Sequence, residues 1–443
     1  MATPRRYATF QREQITDHTP DPNSLLRIWI VYVGQGDGIL IQLPNKFSYD
    51  VLPDDEDQSR SERVDVLIDG GSFSGSNEDL MGNFLRRLYP GSSPIIEHAV
   101  ISHHDSDHIT ALTRLINDGV ASVETFYHSG LVSWQPGGHF PSPIPTGQKA
   151  VYKGSKSSPT RGMAYVTNQG SLLEDHLIDN RSEMQTALAG DDLHGIYEDL
   201  AEAVDRLAAS DNSVEFRRCF VGSDFINEIE DDRRSAISDV RFELLWPQKP
   251  ALPYKGTDWG NTINGNSVTF RLVYGDFAML FTGDQNEKSQ RTFLDDLIAD
   301  NRTGAIDCDV YKVPHHGSKH FDPAFVDTLM NGLVLSVASM GPRGFGNSWR
   351  HPNPGLIKRL GRSHRFYSTY IHEKRFDTTD FKDAESLAEL IETDRRTILI
   401  ETDGDWFRLV EIPDSQNDLN MPPSVKSTHS GNGTRWINAR HGG

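Results

Sequence analysis

The chain has 443 residues, 36% hydrophobic and 24% charged, enough for one large domain with insertions or two to three ordinary ones. Its formal net charge of −19 opposes non-specific polyanion binding, which draws on Lys and Arg, so a nucleic-acid enzyme of this composition needs a local basic patch or bound cations. No apolar run reaches the roughly 18–20 residues of a membrane span, the start lacks a signal peptide's apolar core, and Cys219 and Cys308 are expected as buried thiols in a cytoplasmic protein.

Residues 1–24 read as an N-terminal extension. Strands are expected over 27–33 and 39–43, joined by the turn Gly34-Gln35-Gly36-Asp37-Gly38. An acidic loop over 50–62 leads to a strand over 63–69 that ends in Gly70-Gly71. In the window 77–89, Leu80, Phe84, Leu85 and Leu88 fall at helical spacing. Residues 95–101 are short, apolar and β-branched, which predicts a buried strand. Residues 109–116 have helical periodicity and meet the stop signal Asn117-Asp118-Gly119. Between them, Ser102-His103-His104-Asp105-Ser106-Asp107-His108 sits on a strand-to-helix turn.

The pattern loosens over 120–239. Residues 133–161 are rich in Gly, Pro, Ser and Lys and read as a long irregular loop. Residues 183–209 are acidic and helical, with Leu193, Ile196, Leu200, Val204 and Leu207 on one face and Leu188 upstream. The region reads as an insertion that covers a site or meets a protein partner; a helical layer of the main fold is an equal alternative. Strands return over 240–246, 267–274 and 277–282, the last two a hairpin across Gly275-Asp276, followed by Gly283-Asp284 and an amphipathic helix over 285–298. A strand over 309–313 feeds Pro314-His315-His316-Gly317-Ser318. Another over 333–338 precedes the loop 341–347, His351-Pro352 and a helix over 354–361. Strands over 396–401 and 406–411 close the core across Asp403-Gly404. The polar tail 414–443 is expected to be disordered.

Strands alternating with helices predict an α/β layered fold. Asp69, the His/Asp cluster, Asp284 and His315 each follow the end of an apolar strand, where open α/β folds gather functional side chains. Imidazole and carboxylate together suit Zn²⁺, Mn²⁺ or Fe²⁺. The set suffices for two ions bridged by a carboxylate, the arrangement used for displacement at phosphorus or carbonyl carbon.

The order Leu67-Ile68-Asp69-Gly70-Gly71, His103-x-Asp105-x-Asp107-His108, Thr282-Gly283-Asp284 and Lys312-Val313-Pro314-His315-His316-Gly317-Ser318 resembles the metallo-β-lactamase superfamily. More narrowly it resembles the ComEC-like hydrolase subgroup, which shares the Val33-Gly34-Gln35-Gly36-Asp37 turn, Asn266-Ser267 and His351-Pro352. The likeness spans 25–413. It implies a four-layer αβ/βα sandwich with a dinuclear zinc or manganese site at one edge of two sheets. By matching, His103 and Asp105 hold one ion, Asp107, His108 and His315 the other, and Asp284 bridges them. Asp105 stands where the superfamily commonly has a second histidine. The window of its third-motif histidine holds Asn261, Asn264 and Asn266 and no histidine. Both departures favour Mn²⁺. Asp69 matches a residue that orients ligands; Asp37, Asn266 and His351 are expected in support or at substrate. His315 is preferred over His316 because related motifs place the ligand two residues before a glycine. Neighbours on an extended segment point opposite ways, which leaves His316 as a candidate proton donor. Asp107 or Asp284 is expected to accept a proton from the attacking water.

The expected activity is metal-dependent hydrolysis of a phosphodiester, in DNA or a nucleotide. The alternatives are a small-molecule hydrolase acting on a cyclic nucleotide, phosphoester or lactone, and an interaction module without turnover, against which the intact ligand set argues. Lys149, Lys153, Lys156, Arg161, Lys312, Lys319, Arg343 and Arg350 are basic residues near the site loops. Subgroup members are commonly fused to a membrane channel that this sequence lacks, so neither a membrane role nor DNA uptake is expected, and the oligomeric state stays open.

Overall fold

The computed structural model describes residues 15–16, 18–44, 63–72, 79–211, 213–226, 240–330, 332–341, 351–360, 365–370, 395–413 and 436–439. Strands β1 (Ile15–Thr16), β2 (Leu26–Ile30), β3 (Ile39–Gln42) and β4 (Asp65–Ile68) precede helix α1 (Leu80–Leu88), strand β5 (Ile95–Val100), helix α2 (Ser106–Asn117) and strand β6 (Ser122–His128). The hairpin β7 (Ala150–Ser155) and β8 (Ser158–Tyr165), helices α3 (Arg181–Ala189) and α4 (Ile196–Ser210), and strand β9 (Glu215–Arg218) follow. Next come β10 (Val240–Trp246), α5 (Trp259–Gly265), β11 (Thr269–Tyr274), β12 (Phe277–Phe281), α6 (Glu287–Ala299), β13 (Val310–Lys312), α7 (Pro323–Leu329) and β14 (Leu335–Ala338). The last elements are α8 (Pro354–Leu360), β15 (Arg365–Ser368), β16 (Arg396–Thr402), β17 (Trp406–Pro413) and β18 (Trp436–Asn438).

The period of two along each strand sorts apolar side chains onto opposite faces and so builds layers. Leu26, Ile28 and Ile30 of β2 meet Phe270 and Leu272 of β11 and Phe277, Met279 and Phe281 of β12 in one core between the sheets. Trp29 and Leu40 point the other way, into a core with Phe84 of α1, Leu112 of α2 and Leu200 and Val204 of α4. On the far face of the second sheet, Ala278 and Leu280 pack with Phe293, Phe325 and Leu356 of α6, α7 and α8. The first sheet has ten strands in the order β1-β18-β17-β16-β2-β3-β4-β5-β6-β9, and the second runs β10 to β15 in sequence order. Helices outside two facing sheets make the four-layer αβ/βα sandwich that the metallo-β-lactamase resemblance implies. Strands β4, β5, β6 and β9 are parallel, as are β12 to β15, so both sheets send several strand ends to one edge.

Several expectations are corrected. The stretch 133–161 is not one irregular loop: it carries β7 and leads into β8, because Val151, Met163 and Ala164 give the hairpin a buried face against Trp259 and Ile263. Its polar outer face hides that signal from a composition reading. Within 120–239, β6 and β9 belong to the main sheet, and α4 is a helical layer packed beside α2. Helix α5, not predicted, is capped at its N-terminus by Asp258, whose carboxylate accepts from Asn261 N at 2.9 Å. The tail is not wholly disordered, since β18 pairs with both β17 and β1, and Trp436 and Ile437 are buried. The expected loops 50–62 and 342–347, Arg343, Arg350 and the tail segment 414–435 lie outside the described residues. Cys219 and Cys308 are free and buried, and burial pushes both thiols up. Among the described residues no helix is long and apolar enough to cross a membrane.

Candidate metal centre

Strands β2, β4, β5, β12, β13 and β14 end at the same edge and deliver the site. Beyond β4, Asp69 takes a left-handed φ of 54°, its N–H bonded to Val100 O at 2.9 Å, and Gly70 N donates to His108 O at 2.8 Å. The loop after β5 carries Ser102 to Asp105, and α2 starts at Ser106. Across the sheets, Val268 N donates to Ser102 O at 2.8 Å, and Ser267 Oγ accepts from Asp284 N at 3.1 Å just past β12. Beyond β13, His315 and His316 occupy a turn with φ of 49° and 53°. That segment is not extended, so the expectation that its two side chains diverge does not apply.

The glycine-rich loop after β2 seats on this edge. A Cβ at Gly36, where φ is +119°, would lie 1.9 Å from Asp107 O. Gly36→Ala should therefore displace the first turn of α2 and lower metal content and turnover together, at a backbone cost of about 1–3 kcal/mol. Metal analysis and thermal melting of the variant check this, and wild-type metal content would contradict it.

Three imidazoles share one arrangement. His108 donates from Nδ1 to Asp69 Oδ2 at 2.7 Å, and His316 donates from Nδ1 to the Ser339 carbonyl at 3.0 Å. His103 Nδ1 pairs with Ser102 Oγ at 3.0 Å. All three rings are buried and have no hydrogen-bond partner at Nε2, and Asp284 Oδ1 has none either. A buried polar atom without a partner is costly. Here those atoms face one another: ligand atoms of His103, His108 and Asp284 lie within 4.8 Å of each other, as do those of Asp107, His108 and His316. Asp284 Oδ2 is 3.4 Å from Nε2 of both His108 and His316. With Nδ1 engaged, each Nε2 is left to take a proton or a metal ion, and imidazoles held in this way around carboxylates fit divalent cations.

The electrostatics agree. Burial disfavours charge on Asp284, but His316, His108 and His315 outweigh it and hold its carboxyl well below the usual range. Asp107 is lowered in the same way: burial opposes, and the nearby imidazoles of His316 and then His108 prevail. Conversely, burial and then Asp107 push Asp105 up to about 6. Burial and then His108 push His103 well down. For His108 burial is overcome by Asp284 and Asp69, which raise it well above its ordinary value.

His316 supplies a pH test. Burial opposes its charge, but the carboxylates of Asp284 and then Asp107 facing the ring raise it from 6.5 to about 10. In chelator-treated protein that charge stabilises the fold fully below 6.5, and the contribution is lost as pH rises through about 10. Asp105 acts in the same direction, since ionising a group raised from 3.8 to about 6 costs stability over that window. The melting temperature of chelator-treated protein should fall between pH 6.5 and 10, and a divalent cation should flatten the fall because it replaces the protons. A flat profile without metal would count against this balance.

Other expected residues take distinct places. Asp37 forms a buried ion pair with Lys312, Oδ1 to Nζ 2.7 Å, which removes Lys312 from any substrate-binding patch. Asn266 donates from Nδ2 to the carbonyls of Leu252 and Thr262, both at 2.8 Å, and so holds the end of α5 rather than a ligand. His315 is 3.9 Å from Asp284 through Nε2, keeps 21% of its side chain exposed and has an unpartnered Nδ1. His351 is buried 5.6 Å from the His315 ring, and burial with His316 and His315 pushes it down to about 3. Asp105 holds the N-cap position of α2 without a side-chain capping bond, which leaves its carboxylate for other partners. One such partner was missed as a positioning group: Asn264, with its amide turned to donate, lies 3.2 Å from Asp105 Oδ2. Only the asparagine-rich window hinted at it. The Ser339 carbonyl was also missed, because a backbone acceptor leaves no mark in sequence.

No family model matches the chain, and no curated protein matches it. Among solved structures, a subclass B3 metallo-β-lactamase isolated from a soil metagenome library is 11% identical, with 65% of this chain and 79% of that chain covered and a TM-score of 0.26. A diphosphatase from the PhnP family is 10% identical, with 85% of this chain and 98% of that chain covered and a TM-score of 0.29. Likenesses this slight carry no argument about activity, so the chemistry rests on the chain's own residues.

Proposed function

We propose that the protein is a metal-dependent hydrolase acting on a phosphodiester through two divalent cations, zinc or manganese. The observation that carries this reading is the set of buried imidazoles, His103, His108 and His316, each engaged at Nδ1 and unpartnered at Nε2 around Asp284. His103, Asp105 and Asp284 would hold one ion and Asp107, His108 and His316 the other, with Asp284 shared. When bound, such ions lower the pKa of water and neutralise charge on the scissile group. Asp107 and Asp284 are the carboxylates placed to take a proton, while Asp69 and the Ser339 carbonyl keep the imidazoles in register. Three carboxylates in the set support Mn²⁺, and the sequence resemblance supports the phosphodiester class. His315, whose side chain is 21% exposed beside Asp284, would contact the leaving group in this reading.

Metal analysis of purified protein tests the reading. It is followed by assays on bis-p-nitrophenyl phosphate and on single- and double-stranded DNA with Mn²⁺ or Zn²⁺ added. Metal uptake with chelator-sensitive hydrolysis is expected. Bound metal with no turnover of these probes would redirect the reading to a small ester or lactone, and failure to bind either cation would overturn it.

A further inference from the structure

The β7–β8 hairpin brings together two cations in a way its own stability does not explain. Lys153 and Arg161 are direct cross-strand partners, and like charges in that position destabilise a sheet. Both lie against one indole: Lys153 Nζ is 5.7 Å and Arg161 Cζ 5.4 Å from the centroid of Trp259. Among the described residues neither has a carboxylate at ion-pair distance, although the chain has 63 acidic side chains to 44 Lys and Arg. Asp105 and Asp258 act on Lys153 from further away, while burial and Arg161 push its pKa down.

The pair stands beside the metal centre. Trp259 begins α5, the helix whose Asn264 reaches Asp105. His104, between His103 and Asp105 in the chain, meets Trp259 edge-on at 6.4 Å, and the indole is only 7% exposed, a buried shelf under the two cations. Two cations without an ion-pair partner among the described residues, on a buried shelf at the Asp105 side of the cluster, form a receptor for an anion, with one planar fork and one point charge.

We propose that Lys153 and Arg161 form a subsite for a second phosphate of the substrate, so that the protein selects nucleotide phosphodiesters carrying more than one phosphate. The identity of the scissile group rests on the phosphodiesterase reading above; the anion subsite does not. A bound phosphate relieves the cross-strand repulsion and gives each cation a hydrogen-bonded partner.

Two measurements on metal-loaded protein separate the two readings. Calorimetry compares thymidine 3′,5′-bisphosphate binding to wild type, Lys153→Gln, Arg161→Gln and, as a control for net charge, Lys288→Gln on α6. Each of the first two should weaken binding by about tenfold or more, the loss of one charge-assisted hydrogen bond, and the control should not. Turnover of thymidine 5′-(p-nitrophenyl phosphate) is then compared with and without a 3′-phosphate. The wild-type preference in KM for the 3′-phosphorylated probe should shrink in both variants, with kcat less affected. If neither probe is hydrolysed but the bisphosphate still discriminates wild type from the variants, the subsite stands and the phosphodiesterase reading falls. Wild-type protein that does not bind the bisphosphate, or binds it no better than Lys153→Gln and Arg161→Gln do, overturns the proposal.

Discussion

His316→Ala is expected to strip one cation from the centre and to cost well over the roughly 10–100-fold that loss of an outer supporting group costs a metal site. The ring is buried, donates from Nδ1 to the Ser339 carbonyl, and holds Nε2 3.5 Å from Asp107 Oδ2 and 3.4 Å from Asp284 Oδ2. Alanine removes the donor and leaves both carboxylates crowded without an imidazole between them. The paired variant His315→Ala should keep its metal and lose less rate, because its Nε2 stands 3.9 Å from Asp284, farther than that of His316, and its side chain is partly open to solvent. Metal content and turnover measured side by side decide between them. Full occupancy in His316→Ala with loss in His315→Ala would restore the assignment expected from the motif's glycine spacing.

Asp284→Asn should be the most damaging single change. Its Oδ2 sits within 3.4 Å of two imidazole nitrogens and 3.9 Å of a third, and the side chain is buried. The amide keeps the shape but removes the charge that outweighs burial at His108 and His316. Both imidazoles should then titrate lower, and the pH-dependent loss of stability in chelator-treated protein should shift to lower pH. Metal affinity should drop at both positions, because this carboxylate is shared. Titration of the histidine ring protons by NMR, alongside metal analysis, checks both statements; an unshifted His316 titration would remove Asp284 from that role.

Sequence order placed Asp69, the stretch from His103 to His108, and Asp284 just past strand ends, and the structure brings those ends to one edge. That much was legible because apolar β-branched runs mark buried strands locally, and parallel strands ending together need only a short-range pattern to be anticipated. The β7–β8 hairpin and α5 were not legible, since their stability comes from one apolar face on a distant partner while their composition is that of a loop.

What the sequence by itself determined is the layered α/β class and the loops that carry histidine and carboxylate, both written in residue type and local period. Which of two adjacent histidines faces Asp107 was decided only in the tertiary structure. The left-handed turn at 315–316 and the Ser339 carbonyl set that orientation. The tertiary structure likewise decided that Lys312 is spent on Asp37, 275 residues away, while Lys153 and Arg161 share the face of Trp259. Charge pairing across such separations depends on which strands become neighbours, and no local window of sequence contains that.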